Sequence, residues 1–432
     1  MRNVIGMVVS LLVLLPSLAA AAQISANCTT LIRFEERSFP GFDKQRVVPA
    51  TQFLGIDADQ LGDGNLSLHL YGWGRVDLGD RSTTEADTTD GDLTYGYLSY
   101  RFEKANGLLK GGRFFVFEGG TAEQIDGVSA QADILPVLRG LTVSLFAGIP
   151  TKLDRGFDNR GDYIAGGRVG FRVAKILDVG ATFVREGGMD INGPTADPKT
   201  YRQLVGGDIW LSPLPQLELN GRSTYNTATD AVAEHAYTLT IAPLSSFRIT
   251  GVFNRNNLKD YFSATNLRNL FSPDLEDKFT NYGGDITLAP IKQVELTADY
   301  RHYRRDSKGS SNRYGGELRL SLAEDIVRSG FSYHRLDAAD DINSFHEVRG
   351  YAMFTPASLI ASVDAIADLY DHDIYGQKNV YVVAVSLGYK VTPSLTVSGD
   401  VSYGDNPQFK QDLRGVLRLA FNFAGNEKGQ KK

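Results

Sequence analysis

Residues 412–432 read DLRGVLRLAFNFAGNEKGQKK. Up to Phe423 apolar side chains fall on every second position: Leu417, Leu419, Phe421 and Phe423. Val416, Arg418, Ala420 and Asn422 lie between them. Successive side chains of a strand point to opposite faces, so this segment has one face that is apolar throughout and one that is wet. A soluble sandwich would cover the apolar face with a second sheet. A strand in a bilayer would turn it to lipid.

The same period runs back through the chain. Tyr381, Val383, Val385, Leu387 and Tyr389 oppose Val382, Ala384, Ser386, Gly388 and Lys390. Val294, Leu296, Ala298 and Tyr300 oppose Glu295, Thr297, Asp299 and Arg301. Leu217, Leu219 and Gly221 oppose Glu218, Asn220 and Arg222, and Leu318 and Leu320 oppose Glu317, Arg319 and Ser321. Between residues 65 and 423 the pattern predicts about twenty strands, within a range of roughly 16 to 22.

The connections alternate in length. One set is short and often carries proline, at Pro136, Pro213, Pro215, Pro243, Pro290, Pro356 and Pro393. Proline cannot donate to a ladder, so it sits where a strand stops. The other set is longer and polar, as in GIPTKLDRGFDNRGD and REGGMDINGPTADPKT. Short turns at one end and long loops at the other predict an all-β fold: a closed antiparallel transmembrane β-barrel with periplasmic turns and extracellular loops. In lipid every backbone N–H and C=O must be paired, so the sheet closes without an edge. Only alternate residues need be apolar, which reconciles a barrel with a chain of 432 residues that is 42% hydrophobic and 22% charged, at a mean hydropathy of −0.20.

The N-terminus, MRNVIGMVVSLLVLLPSLAAAAQ, has a basic start, a short apolar core and an A-x-A ending, the pattern of a secretory signal cleaved after Ala22. Beyond it no run of 18 apolar residues predicts a spanning helix. Cys28 is the single cysteine, which excludes an intramolecular disulfide, a haem-attachment C-x-x-C-H and a cysteine-rich zinc site within this chain. A net charge of −6 gives no reason to expect nucleic-acid binding. The expected organisation is therefore a signal peptide over 1–22, a periplasmic or lumenal segment over 23–64, the barrel over 65–423 and a periplasmic tail over 424–432. Both termini are expected in the periplasm of a bacterial outer membrane, with the last strand closing against the strand near 65–78.

Two stretches carry a resemblance. The final strand, with Leu417, Leu419, Phe421 and Phe423, resembles the signal read by the machinery that inserts outer-membrane barrels, although nine residues follow the aromatic one here. LSLHLYGWGRVDLGD and the following LTYGYLSYRFEKANGLLKGGRFFVFEGG resemble the opening strands of outer-membrane porin-like proteins. Some of these are similar to the barrel subunits of porin–cytochrome electron conduits, in which separate multihaem c-type cytochromes carry the electrons. The resemblance implies a barrel with no cofactor of its own.

The face opposite the apolar row is expected to line the lumen with His69, Arg75, Glu218, Arg222, Asp285, Glu295, Asp299, Arg301, Glu317, Arg319 and Arg418. An unpaired charge turned to lipid costs several kcal/mol, so such a face requires water or a polar partner inside. Asp77, Asp80, Glu85, Asp87, Asp90 and Asp92 crowd one loop without the spacing of an EF-hand, which favours a solvated loop, with divalent bridging to lipopolysaccharide as the alternative. The loop from Asn254 to Lys278 holds enough Phe and Leu to fold inward as a constriction or to stay outside as a binding surface. Tyr71, Trp73, Tyr95, Tyr97, Trp210, Tyr282, Tyr300 and Tyr389 suit interface girdles. The six histidines, among them His302 and His334, form no evident Ser/His/Asp set. These features predict a passive outer-membrane channel, with the sheath of a cytochrome conduit and an outer-membrane hydrolase as the alternatives. Membrane lipid, lipopolysaccharide, the insertion machinery and a multihaem cytochrome are the expected partners.

Overall fold

The structure is a computed structural model that describes residues 23–37, 45–79, 89–118, 120–134, 139–151, 163–187, 201–257, 260, 277–407 and 412–424. The signal segment, most of the acidic loop, most of the 254–278 loop and the basic tail lie outside the described residues.

The strands in chain order are β1 (Gln23–Arg37), β2 (Gln45–Val47), β3 (Pro49–Leu61), β4 (Leu66–Asp77), β5 (Thr89–Phe102), β6 (Gly107–Glu118), β7 (Thr121–Asp133) and β8 (Leu141–Pro150). They continue as β9 (Tyr163–Val173), β10 (Leu177–Gly187), β11 (Tyr201–Leu214), β12 (Leu217–Asn226), β13 (Ala231–Leu244), β14 (Phe247–Asn257), β15 (Lys278–Ile291) and β16 (Val294–Arg305). The last are β17 (Gly309–Leu322), β18 (Val327–Asp337), β19 (Phe345–Phe354), β20 (Leu359–Ile374), β21 (Gln377–Lys390), β22 (Leu395–Asp405) and β23 (Asp412–Ala424). From β3 onward each strand pairs antiparallel with the next, and β1 closes the sheet by pairing with both β3 and β23. The short β2 shares the partner of β3, with Glu35 opposite Val47, so the two form one stave and the barrel has 22.

Residues 23–64 are not a lead segment: they supply the first two staves. The final strand closes against β1, from Ser25 opposite Ala424 to Arg37 opposite Asp412, and not against β4. Alternation is hidden in these staves because their outward row carries polar side chains that satisfy one another. Thr30 Oγ1 donates to Gln52 Oε1 (2.6 Å), and Gln52 Nε2 donates to Cys28 Sγ (3.0 Å). Mutual pairing lets such groups face a medium that cannot hydrogen-bond them.

The turns at one end explain the prolines. Pro213, Pro243 and Pro290 each fall in a register shift, at Leu211/Leu214, Ile241/Leu244 and Leu288/Ile291, just before a tight turn. A residue without an N–H is tolerated where the ladder slips. In the 62–65 turn the Tyr100 hydroxyl (2.6 Å) and the Asn65 N–H (3.0 Å) hold the Asp63 carboxyl below the usual carboxylate range. At the other end the connections vary more. Some, such as 375–376 between β20 and β21, are tight hairpins because the strands run on into segments expected to be loops.

Candidate functional site: an infolded hairpin and a charged inner wall

The exposed large apolar residues mark the outer face. Leu417, Leu419, Phe421 and Phe423 of β23 belong to it, as do Tyr381, Val383, Val385, Leu387 and Tyr389 of β21. The eleven residues expected to face the lumen all lie on the opposite rows. Tyr282, Tyr300 and Tyr389 face outward, but Tyr71, Trp73, Tyr95, Tyr97 and Trp210 turn inward and are not girdle residues. Phe53, Tyr71 and Tyr95 stack at centroid separations of 6.3 and 5.5 Å.

The inner charges form local compensated groups. Arg319 bonds Glu317 (2.7 Å) and Glu295 (3.1 Å), and Arg301 lies 3.6 Å from Asp285. Asp299 is shared by Arg313 (3.1 Å) and His334 (2.8 Å), and both also approach Glu347. Arg222 makes a two-pronged contact with Glu234 (2.7 and 2.9 Å), and His69 bonds Asp57 (2.7 Å). Nearer the turn end, Arg168 reaches across the wall to Asp208 (2.6 Å) and Asp178 (2.7 Å). Glu218, Arg75 and Arg418 also lie on inner rows. Arg313, Glu347 and Arg168 are inner-row residues that the period-2 pattern implies but that the sequence reading did not name, and His334, named only among the histidines, joins them.

One hairpin leaves the wall. The β5–β6 ladder runs from Phe102 opposite Gly107 to Gly96 opposite Arg113, whereas β6 stays paired with β7 up to Glu118 opposite Thr121. Between these points the β6–β7 tip folds into the barrel. Phe114, Val116 and Ile125 are buried against Phe146 of β8, Ile164 of β9, Val184 of β10 and Leu204 of β11, all on inner rows, and against Ala233 at the register shift in β13. The tip reaches β12: a Cβ on Gly120 would collide with the Thr224 methyl. Gly112, at the point of departure, has φ +129, and a Cβ there would meet the Gly96 carbonyl oxygen. Only glycine combines that backbone conformation with so close an approach.

A buried ion group latches the tip. Arg202 of β11 lies 2.6 Å from Glu186 of β10 and 3.1 Å from Glu123 of β7, and Arg202 and Glu186 are 3% and 1% exposed. The other face of the hairpin carries Phe115 and Phe117, stacked 6.0 Å apart and 44% and 73% exposed. Among the described residues this hairpin is the element that narrows the bore; the 254–278 loop, the candidate the sequence offered, lies largely outside them.

On the outer wall Ser223 hydrogen-bonds His235 Nδ1 (2.7 Å) and the Tyr237 hydroxyl (2.6 Å). Among the described residues no carboxylate is hydrogen-bonded to His235. Among the described residues no cluster of His, Cys, Asp and Glu is arranged to hold a metal.

No family model matches the chain, and no curated protein matches it in sequence. Its fold is that of solved outer-membrane barrels. The ferric enterobactin receptor PfeA of Pseudomonas aeruginosa, an R480A/Q482A mutant, superposes at a TM-score of 0.57 with 11% identity, over 93% of this chain and 80% of that one. The siderophore receptor PirA of the same organism gives 0.56 and 14%, over 92% and 80%. OccK9 (OpdG) of P. aeruginosa matches at 0.47 and 12%, over 94% and 99%.

Proposed function

We propose that the chain is an outer-membrane channel that lets solutes pass without covalent chemistry, with the β6–β7 hairpin as an internal constriction. The supporting observation is the division of faces. An apolar outer row and a charged, pairwise-compensated inner row run around a wall that closes on itself at β1 and β23. Such a wall suits lipid outside and water inside. In this reading the tight-turn end and both termini face the periplasm. The exposed row of Leu417, Leu419, Phe421 and Phe423 serves as the insertion signal. The decisive experiment is reconstitution of the pure protein in planar bilayers. Steady multi-ion conductance supports the channel; its absence refutes it.

Bore width favours one second reading. A barrel of 22 staves, at about 4.8 Å between strands and a tilt of about 40°, is roughly 40 Å across. The hairpin is one sheet layer, about 10 Å thick, against one side. Barrels of this size are usually plugged, so a polar partner seated inside fits the space that the hairpin leaves. A multihaem cytochrome would make the barrel an insulating sheath. Electron transfer across proteoliposomes only when the cytochrome is added would support this second reading.

A further inference from the structure

The departure of the hairpin ends the β5–β6 ladder partway along the wall. Above Gly96, β5 continues to Thr89 against β4 but has left the β6 ladder, and the β7–β8 ladder begins only at Ile125 opposite Pro150. Side chains stand in for the missing strand. Arg113 Nη1 donates to the Leu93 carbonyl (2.9 Å), and Gln124 Nε2 donates to the Thr94 carbonyl. The Leu93 N–H is taken by the Asp92 carboxylate (2.8 Å). Arg113 also binds Asp126 through two bonds (2.7 and 2.9 Å) and lies 3.4 Å from Asp92. By register Asp126 stands opposite the outward Ile149, and Asp92 opposite the inward Trp73. One guanidinium therefore touches residues of both faces, which a continuous ladder would prevent.

The seam sits at membrane depth. Arg113 lies six residues along β6 from Gly107 at the turn end. At about 3.3 Å per residue and a tilt of about 40°, it stands roughly 15 Å above the turns, in an apolar band about 25 Å tall. The seam thus starts near mid-bilayer and runs toward the loop end of the strands. Beyond Arg113 along β6, Phe115 and Phe117 stand on the exposed face of the hairpin.

We propose that this seam between β5 and the β6–β7 hairpin is a lateral portal joining lumen and bilayer, and that it passes an anionic single-chain amphiphile. Phe115 and Phe117 receive the chain. Arg113, whose bonds to Asp126, Asp92 and the Leu93 carbonyl are all made by a guanidinium suited to carboxylate geometry, receives the head group by exchanging partners. The inference rests on the channel reading for an aqueous lumen, and it adds a substrate class and a route that conductance alone does not require.

The test is a reversible staple. Thr94→Cys and Gln124→Cys, in full-length protein carrying Cys28→Ser, place two thiols across the seam. Proteoliposomes would be assayed for transfer of a pyrene-labelled C16 carboxylate and, in parallel, for ion conductance. Oxidation should slow carboxylate transfer at least tenfold, reduction should restore it, and conductance should not change. Equal transfer by oxidised and reduced protein overturns the portal while leaving the channel intact. Absence of conductance in both forms overturns the channel reading instead. Should the staple not form, Phe115→Trp supplies a second measurement. Its fluorescence should be quenched by a brominated fatty acid more strongly in the parent than in Arg113→Gln, and equal quenching in the two refutes the site.

Discussion

Removing the Phe114 ring tests whether the hairpin is held by its apolar contacts. Phe114, Val116 and Ile125 are 2%, 4% and 0% exposed, packed on five side chains of the wall. Burying three side chains of this size contributes roughly 5–9 kcal/mol before the cost of ordering the hairpin. Phe114→Ala removes about 3–5 kcal/mol of this, through lost burial and the cavity left behind. At about 1.4 kcal/mol per tenfold, the ratio of docked to undocked hairpin falls by roughly two to four orders of magnitude. The wall ladders do not depend on Phe114, so the barrel stays folded and keeps its heat-modifiable mobility on gels. Thr121, 5% exposed at the tip, reports the change when replaced by cysteine in the Cys28→Ser background. A membrane-impermeant maleimide should label it at least tenfold faster in Phe114→Ala than in the parent. Single-channel records should show larger or noisier steps. Equal labelling and equal conductance in a folded Phe114→Ala barrel would refute the docking account.

Three further outcomes follow from the same contacts. Arg202→Leu leaves Glu186, 1% exposed, as a buried charge without its guanidinium, a loss of about 3–5 kcal/mol that Glu186→Leu in the same chain should largely recover; thermal unfolding in detergent measures both. Arg319→Gln leaves Glu295 and Glu317 uncompensated on the inner wall, so reversal potentials in a salt gradient should shift toward cation preference. An unchanged reversal potential would place Arg319 off the conducting path. Phe423→Ala removes the last outward aromatic residue, and the amount of folded barrel recovered from cells should fall while refolding into detergent from urea is little affected. Equal recovery of parent and variant would show that Phe423 is not read during insertion.

Period-2 patterning located every stave from β4 to β23, because each turns one apolar row outward. It set the charges of these staves on the row opposite the apolar one for the same reason. It missed β1 and β3 where the outward row holds Cys28, Thr30 and Gln52, whose polarity is cancelled by contacts between strands that a linear reading does not see. It also misjudged the inward aromatic residues, since Tyr71 and Tyr95 meet the expectation for a girdle in type but not in row. The infolded hairpin had a signal that alternation alone did not interpret. In GGRFFVFEGG both rows are apolar from Phe114 to Phe117, as in a strand covered on two sides, and glycines stand at both ends. The partners of Arg168, Arg202 and Arg313 come from strands up to 79 residues apart in sequence, so their pairing appears only once the barrel closes.

One hairpin cannot both narrow the bore and complete the wall. With its tip on the inner faces of β8–β13, the constriction is in place and β5 is bridged by Arg113 and Gln124. With the tip returned to the wall, the backbone of β6 would replace those side chains along β5, sealing the seam and widening the bore together. The two arrangements exchange about 5–9 kcal/mol of apolar burial for a few ladder hydrogen bonds at about 1 kcal/mol each, so the infolded one is favoured. Phe114→Ala brings the two sides closer to balance. In that variant the conductance steps should therefore grow as carboxylate transfer through the seam declines. Growth of both would show that the freed hairpin stays out of the wall, and that constriction and seam are independent.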